Sequence, residues 1–447
     1  MIQLNQSMME RYEIPACRPD KLRAVLFGAD RLMLGGAARM LHMAGVGAAC
    51  VTRDAEILRA QDCMFTLLVR GEAADGKKID EELVVQSILS AVNPETEFDS
   101  FLALAAEKPD CVICHEKMDD VELALLARLL YQCGENLPVV LAVSDHPNAD
   151  ADDLRSALRI IAAPWGDTAW LERLDVRSLL CDTLSAPLND AESARAREKM
   201  NYRDDLIAWA EPYTAFAVQG GAPDCLQGVC SGDYDRLRLM KARAFDSAAF
   251  LCAAAGYMCG MDSFAQTLKD EQLRAWIGRA FYDEILPRLP EGREQAVISA
   301  FERLENPLND MPLLEIGRSM LGNFSTTLLP AIRSSAEENF ESPMHLSLAL
   351  AAAIMLYAGV RRDVNGNFAV AREQKSDLLH DDPEILEAFS SLAHDMPAES
   401  LAYAALADRS VWGCDLREID GLEIRVTYDL SSIQRIGLRE TIKNKMA

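Results

Sequence analysis

Residues Leu22 to Asp54 read LRAVLFGADRLMLGGAARMLHMAGVGAACVTRD. A short apolar run, Leu22 to Phe27, breaks at Gly28, a segment with helical spacing follows, and GAACV forms a second short apolar run. Strand, glycine turn, helix and strand open an α/β nucleotide-binding unit. Such a turn needs glycine where the backbone bends and where it approaches a pyrophosphate, which sits on the N–H groups of the following helix. Gly28 takes the first place, but Asp30 stands at the second, where a side chain blocks close approach and a carboxylate repels phosphate. Gly35 and Gly36 keep the helix start permissive, which leaves a shifted cofactor mode open. Asp54, just past the second strand, stands where an acidic residue would meet an adenosine ribose; a surface loop carboxylate is the plainer reading. Arg53 beside it would suit a phosphate, so NAD and NADP are not distinguished.

Further apolar runs such as Pro138 to Val143 continue the α/β pattern, and the polar stretch Asn189 to Arg203 reads as a loop. Beyond it the chain is almost entirely of helical spacing. The expected fold is α/β plus all-α, with a Rossmann-type domain over residues 1–203, a helical domain over 204–447 and a cleft between them.

The 447 residues are 50% hydrophobic and 26% charged, as in a globular protein of two or three domains. With 45 basic against 70 acidic side chains, the net charge of -25 disfavours nucleic acid and anionic membrane as partners. The start MIQLNQSMMERYEIP lacks the pattern of a secretory signal, and the longest apolar run, Leu346 to Tyr357, is too short to span a bilayer. Twelve irregularly spaced cysteines fit reduced thiols in a cytoplasm.

Leu237 to Asp262, LRLMKARAFDSAAFLCAAAGYMCGMD, reads as one long buried helix opened by a basic turn, with Lys241 its only amine. Laid without a gap from Lys241 to Gly260, it resembles the signature helix of the mannitol dehydrogenase family, the long-chain polyol and sugar-acid oxidoreductases. That signature has Lys, four residues, Asn, two residues and His; here Lys241 is kept, Asp246 stands for Asn and Ala249 for His. The resemblance implies that Lys241 is the acid/base of hydride transfer between NAD or NADP and a sugar acid or polyol. That role requires a lysine whose pKa is lowered by burial or positive neighbours, whereas a carboxylate such as Asp246 favours the ammonium. The resemblance extends along the chain: FGAD aligns with the family's Phe-Gly-Ala-Gly, and Glu211-Pro212-Tyr213 with the start of its second domain. Glu211 is thereby a polar candidate for the cleft, with an exposed helix-ending Glu as the alternative. The family's basic residues near the end of its substrate region are Asn323 and Thr327 here.

Arg238 and Arg243 flank Lys241 and either supply positive charge for a carboxylate ligand or form an exposed basic turn. Cys111, Cys114 and His115 have a haem-attachment spacing, but apolar neighbours favour two strand cysteines and a loop histidine. The acidic run SDHPNADADDL lacks the glycine and terminal Glu of a calcium loop and reads as a capped helix start. His345, among apolar neighbours, reads as a core or helix-start histidine, and no metal is expected. Two functions stand: an oxidoreductase with Lys241 and Asp246 as its acid/base pair, or a non-catalytic binding or regulatory protein on the same framework.

Overall fold

The computed structural model describes the chain from residue 2 onward except 73–76, 117, 145–150, 167, 189, 201, 290–299, 307–310, 317–318, 340–341 and 373–374. Strand residues of the first unit are small or β-branched and apolar on both faces, as a covered parallel sheet requires. Leu26, Ala48, Cys50, Val112 and Ile113 are all fully buried. The resulting seven-stranded sheet runs in the order Ala215–Val218, Val176–Asp182, Val139–Ser144, Cys111–His115, Leu22–Phe27, Gly47–Val51 and Ile88–Val92. All neighbours are parallel except the first pair. The chain winds outward in opposite directions from Leu22–Phe27, so the topological switch lies between that strand and Cys111–His115. In such sheets ligands bind beyond the carboxyl ends of the strands at this point.

A second sheet carries Ser185–Pro187, Ala208–Ala210, Phe65–Glu72 and Lys78–Val85 in that order. Its presence corrects the expected boundary. Residues beyond 203 are still strands of the first unit, because Ala208–Ala210 pairs with Phe65–Glu72 and Ala215–Val218 with Val176–Asp182. The two structural units are Met1–Arg238 and Leu239–Ala447. The stretch taken for a polar loop contains the helix Asp190–Met200. DAESARAREKM is rich in Ala, Glu, Arg and Lys, all strong helix formers, but its lack of an apolar stripe hid it from a periodicity reading.

In the second unit, Met344–Ala358 is buried from His345 onward and packs against Ser247–Met258 and Leu422–Met446. Trp412 lies against Phe324 and Phe389, with ring centroids 4.9 and 6.3 Å away. The unit also carries a three-stranded sheet, Val360–Arg362, Phe368–Arg372 and Lys375–Leu378, that the helical reading missed. Its signal was present: Asn365 and Gly366 sit between two short β-prone runs, Gly366 has φ 84°, and Asp363 accepts the Asn365 and Asn367 N–H groups at 2.8 Å. The calcium-like run lies partly outside the described residues, at 145–150; Asp152 and Asp153 fall in the first turn of Ala151–Ala162, as a helix start requires.

Several charges buried in this unit are matched internally. Asp429, fully buried, pairs with Lys445 at 2.8 Å, and Glu284 accepts the His345 and Leu346 N–H groups at 2.9 and 2.8 Å. His345 is the second residue of its helix and is buried, as the sequence suggested. Burial first, then the charge of Lys445, pushes its imidazole down to about 4. Because the unfolded chain keeps an ordinary histidine value, it binds the extra proton between pH 4 and 6.5. This contribution is therefore present above pH 6.5 and lost as pH falls toward 4, amounting to at most about 3 kcal/mol. Urea unfolding is expected to show a stability slope across this window that His345→Gln flattens; an unchanged slope in the variant would contradict the assignment.

Candidate functional site

The strand Leu22–Phe27 ends at Gly28, whose φ of 103° is open only to glycine at low cost. The Gly28 N–H donates to the Val51 carbonyl at 2.9 Å, which binds the turn to the neighbouring strand. Two residues on, Asp30 turns its side chain into the start of the following helix. Its Oδ1 accepts the N–H of Leu32 at 2.7 Å and of Met33 at 3.2 Å, and its carbonyl accepts the N–H of Leu34 at 2.8 Å. The other oxygen, Oδ2, is paired with His115 Nε2. Burial opposes the Asp30 charge, but His115 and the Met33 and Leu32 amides outweigh it and hold the carboxyl below its ordinary range.

His115 ends the strand Cys111–His115, directly across the topological switch from Gly28. The sequence reading of a plain loop histidine is therefore corrected: its imidazole completes the Asp30 site. The signal that could have found it is positional, since the carboxyl ends of the two strands flanking a topological switch lie side by side. Cys111 and Cys114 are buried free thiols in the same strand.

This arrangement answers whether a dinucleotide fits. A pyrophosphate at such a turn takes the first helical N–H groups as donors. Here the Leu32 and Met33 donors already serve a carboxylate, and an incoming phosphate would meet negative charge. In this conformation a phosphate would compete with the Asp30 carboxylate for these two amides.

Gly35 lies in the wide-wound helical turn Met33–Ala38, buried against Ser185. A Cβ there would lie 2.0 Å from Ser185 Oγ, so the glycine is required by packing rather than by a cofactor. Asp54 is exposed and precedes the helix Ala55–Ala60 without a capping bond from its side chain. Glu211 is only 1% exposed, which removes the exposed alternative. Its Oε1 accepts the Leu184 N–H at 2.6 Å, and its backbone carbonyl accepts from Arg39 at 2.8 Å. Burial lowers the pKa of Arg39, the nearby Glu211 charge opposing it. Arg238 is half-buried, with its guanidinium 6.0 Å from the Tyr234 ring centroid.

In the second unit, Lys241 opens a π-helical turn, Lys241–Asp246, that continues into Ser247–Met258. In a regular α-helix, residues five apart point about 140° away from each other. The wider turn brings them onto one side, and Lys241 Nζ donates to both Asp246 oxygens, at 2.8 and 3.0 Å. Both side chains are largely buried, at 10% and 16% exposure. Lys241 also lies 6.0 Å from the Phe245 ring, which carries the Arg303 guanidinium at 4.1 Å. The amine is thus held by a carboxylate in a basic surrounding. Arg243, two residues on, instead lines a separate small cavity with Arg288 and Thr327.

Among the described residues no group of three or more His, Cys, Asp and Glu side chains is placed to hold a metal, and no helix is long and apolar enough to cross a membrane. No protein-family profile matches the chain. It is 27% identical to an altronate oxidoreductase of Halalkalibacterium halodurans, over 86% of this chain and 83% of that protein. It is 25% identical to the altronate oxidoreductase of Shigella flexneri, over 86% and 87% of the two chains. Among solved structures it resembles Pseudomonas fluorescens mannitol 2-dehydrogenase, crystallised with NAD and D-mannitol, with a TM-score of 0.77, 15% identity and coverage of 100% and 99%. A substrate-free D-sorbitol dehydrogenase gives a TM-score of 0.72 at 16% identity over 99% and 100%. A Rossmann-like α/β part followed by a helical part is the fold these structures share with the chain.

Replacing Lys241 by Met strands the Asp246 carboxylate in a largely buried place. The expected loss of stability is about 1–3 kcal/mol. Adding Asp246→Leu should recover most of it, because the pair is then removed together. Denaturant unfolding of the two variants checks this; a double variant no more stable than the single would contradict the ion-pair assignment.

Proposed function

We propose that this chain, a divergent relative of the mannitol dehydrogenase family, binds a small sugar acid or polyol on the family framework without performing the family's hydride transfer. One observation carries the reading: the Asp30 carboxylate occupies the helix-start amides that a dinucleotide would need. A second supports it, since Lys241 is bound by both oxygens of Asp246. A general base must give up its proton to act, and a bidentate carboxylate favours the protonated amine. With Ala249 in the place of the family's His, no imidazole stands at the third position of the motif.

The oxidoreductase reading retains one specific support. Gly28 keeps the positive-φ bend of a dinucleotide turn at the carboxyl end of the first parallel strand. Were the Asp30 side chain displaced, the Leu32 and Met33 N–H groups would become free donors, and NAD or NADP would then serve as the hydride carrier. Lys241 would in that case be the acid/base and Asp246 its partner, acting on a CH–OH group.

Titration with NADH and NADPH separates the two. A ligand at one hundred times its dissociation constant stabilises the native state by about 2.7 kcal/mol. The wild-type protein is expected to show neither a thermal shift nor a nicotinamide fluorescence change at millimolar cofactor, and Asp30→Gly is expected to gain binding. Micromolar NADH binding by the wild type would overturn the proposal in favour of the oxidoreductase.

A further inference from the structure

We propose that the second unit contains a pocket for the carboxylate of a polyhydroxy monocarboxylic acid, held by Arg243 and Arg288. The proposal rests on the reading of the chain as a sugar-acid or polyol binder and names the chemistry and residues of that binding.

The cavity measures about 250 Å³, and Arg243, Arg288, Thr327, Ser334 and Glu338 contribute its polar lining. At roughly 30 Å³ per water, this volume admits a small organic acid and is too small to enclose a dinucleotide. The two guanidiniums reach it from different elements: Arg243 from the π-helical turn Lys241–Asp246, and Arg288 from the short helical turn Leu286–Arg288. Asp429, Glu284 and Lys241 find their partners within this unit, whereas Arg243 does not. The Nε atoms of Arg243 and Arg288 are both buried without a hydrogen-bond partner. Arg243 has neither an ion-pair nor a hydrogen-bond partner among the described residues. A buried donor left without an acceptor is unfavourable, and a planar carboxylate is the acceptor that guanidinium geometry fits best.

Charge and hydroxyl placement narrow the ligand. Arg288 is already neutralised by Glu338 at 3.0 Å, and it also donates to the Glu284 carbonyl at 2.9 Å. The pocket therefore carries a net single positive charge, from Arg243. One carboxylate balances it, whereas a phosphate near −2 would leave an excess negative charge beside Glu338. Thr327 Oγ1 and Ser334 Oγ spend their protons on the Asn323 carbonyl and on Glu338 Oε1, at 2.9 Å each. Their oxygens remain able to accept, which suits the hydroxyl groups of a sugar acid.

The test is calorimetric titration of the full chain with gluconate, mannitol and inorganic phosphate at fixed ionic strength, without dinucleotide. Gluconate is expected to bind, at least tenfold more tightly than either mannitol or phosphate. Arg243→Gln should weaken gluconate at least tenfold. Glu338→Gln, at a largely exposed side chain, should tighten it by removing the competing carboxylate. Opposite changes in the two variants support the pocket. Gluconate binding that neither variant alters would overturn this assignment while leaving the sugar-acid reading standing elsewhere in the chain. Phosphate binding as tightly as gluconate would overturn the monocarboxylate, and no binding of gluconate would overturn the proposal whatever NADH does.

Discussion

The first turns of a helix carry N–H groups that must find acceptors outside the helix, and in the first unit Asp30 supplies them. In a dinucleotide-binding turn that demand is left for the ligand, which is why the site binds phosphate without any side chain. Here the acceptor is covalently part of the chain, two residues from the bend, and always at hand. A pyrophosphate would have to displace Asp30 from Leu32 and Met33, separate it from His115 and approach the displaced charge. Each step opposes binding. The same carboxylate stabilises the turn by accepting the Leu32 and Met33 amides.

A comparable internal matching runs through the second unit. Asp429 with Lys445, Glu284 with the amides of His345 and Leu346, and Lys241 with Asp246 are all buried charges whose partners come from the chain itself. Burying a charge is tolerable only when it is paired or fully hydrogen-bonded, and removing one partner is costly. On the proposed reading, Lys241 belongs with structural lysines more than with desolvated bases. The exception is the cavity lined by Arg243 and Arg288, where donors remain unmet. Charged donors left unmet in a cavity are where a ligand's contribution would be largest.

Much of the fold was legible from the chain alone. The parallel sheet follows from apolar runs broken at Gly28 and spaced by helical segments, and the long buried helices follow from their composition. The boundary was not, because Asp190–Met200 looks like a linker when judged by polarity, and because strands such as Ala208–Ala210 are too short to announce themselves. The hairpin around Asn365 and Gly366 was missed by reading a helical average over a local turn. At the site, Asp30 and the Lys241–Asp246 contact were readable, since charge at a required glycine and a carboxylate near an amine have direct consequences. The π-helical winding that allows a contact over five residues was not, nor was His115, whose role exists only once two strands become neighbours. Arg288 lies far along the chain from Arg243, and only folding brings them to one cavity.

In the first unit the chain's own Asp30 carboxylate occupies the Leu32 and Met33 amides of the turn. Amide hydrogen exchange at Leu32 and Met33 in the wild-type protein, with and without millimolar NADH, tests it most directly. Both amides are expected to be protected without cofactor, and NADH is expected to leave their exchange unchanged. Fast exchange in the free protein, followed by protection when NADH is added, would show that the site waits for a dinucleotide and would contradict it.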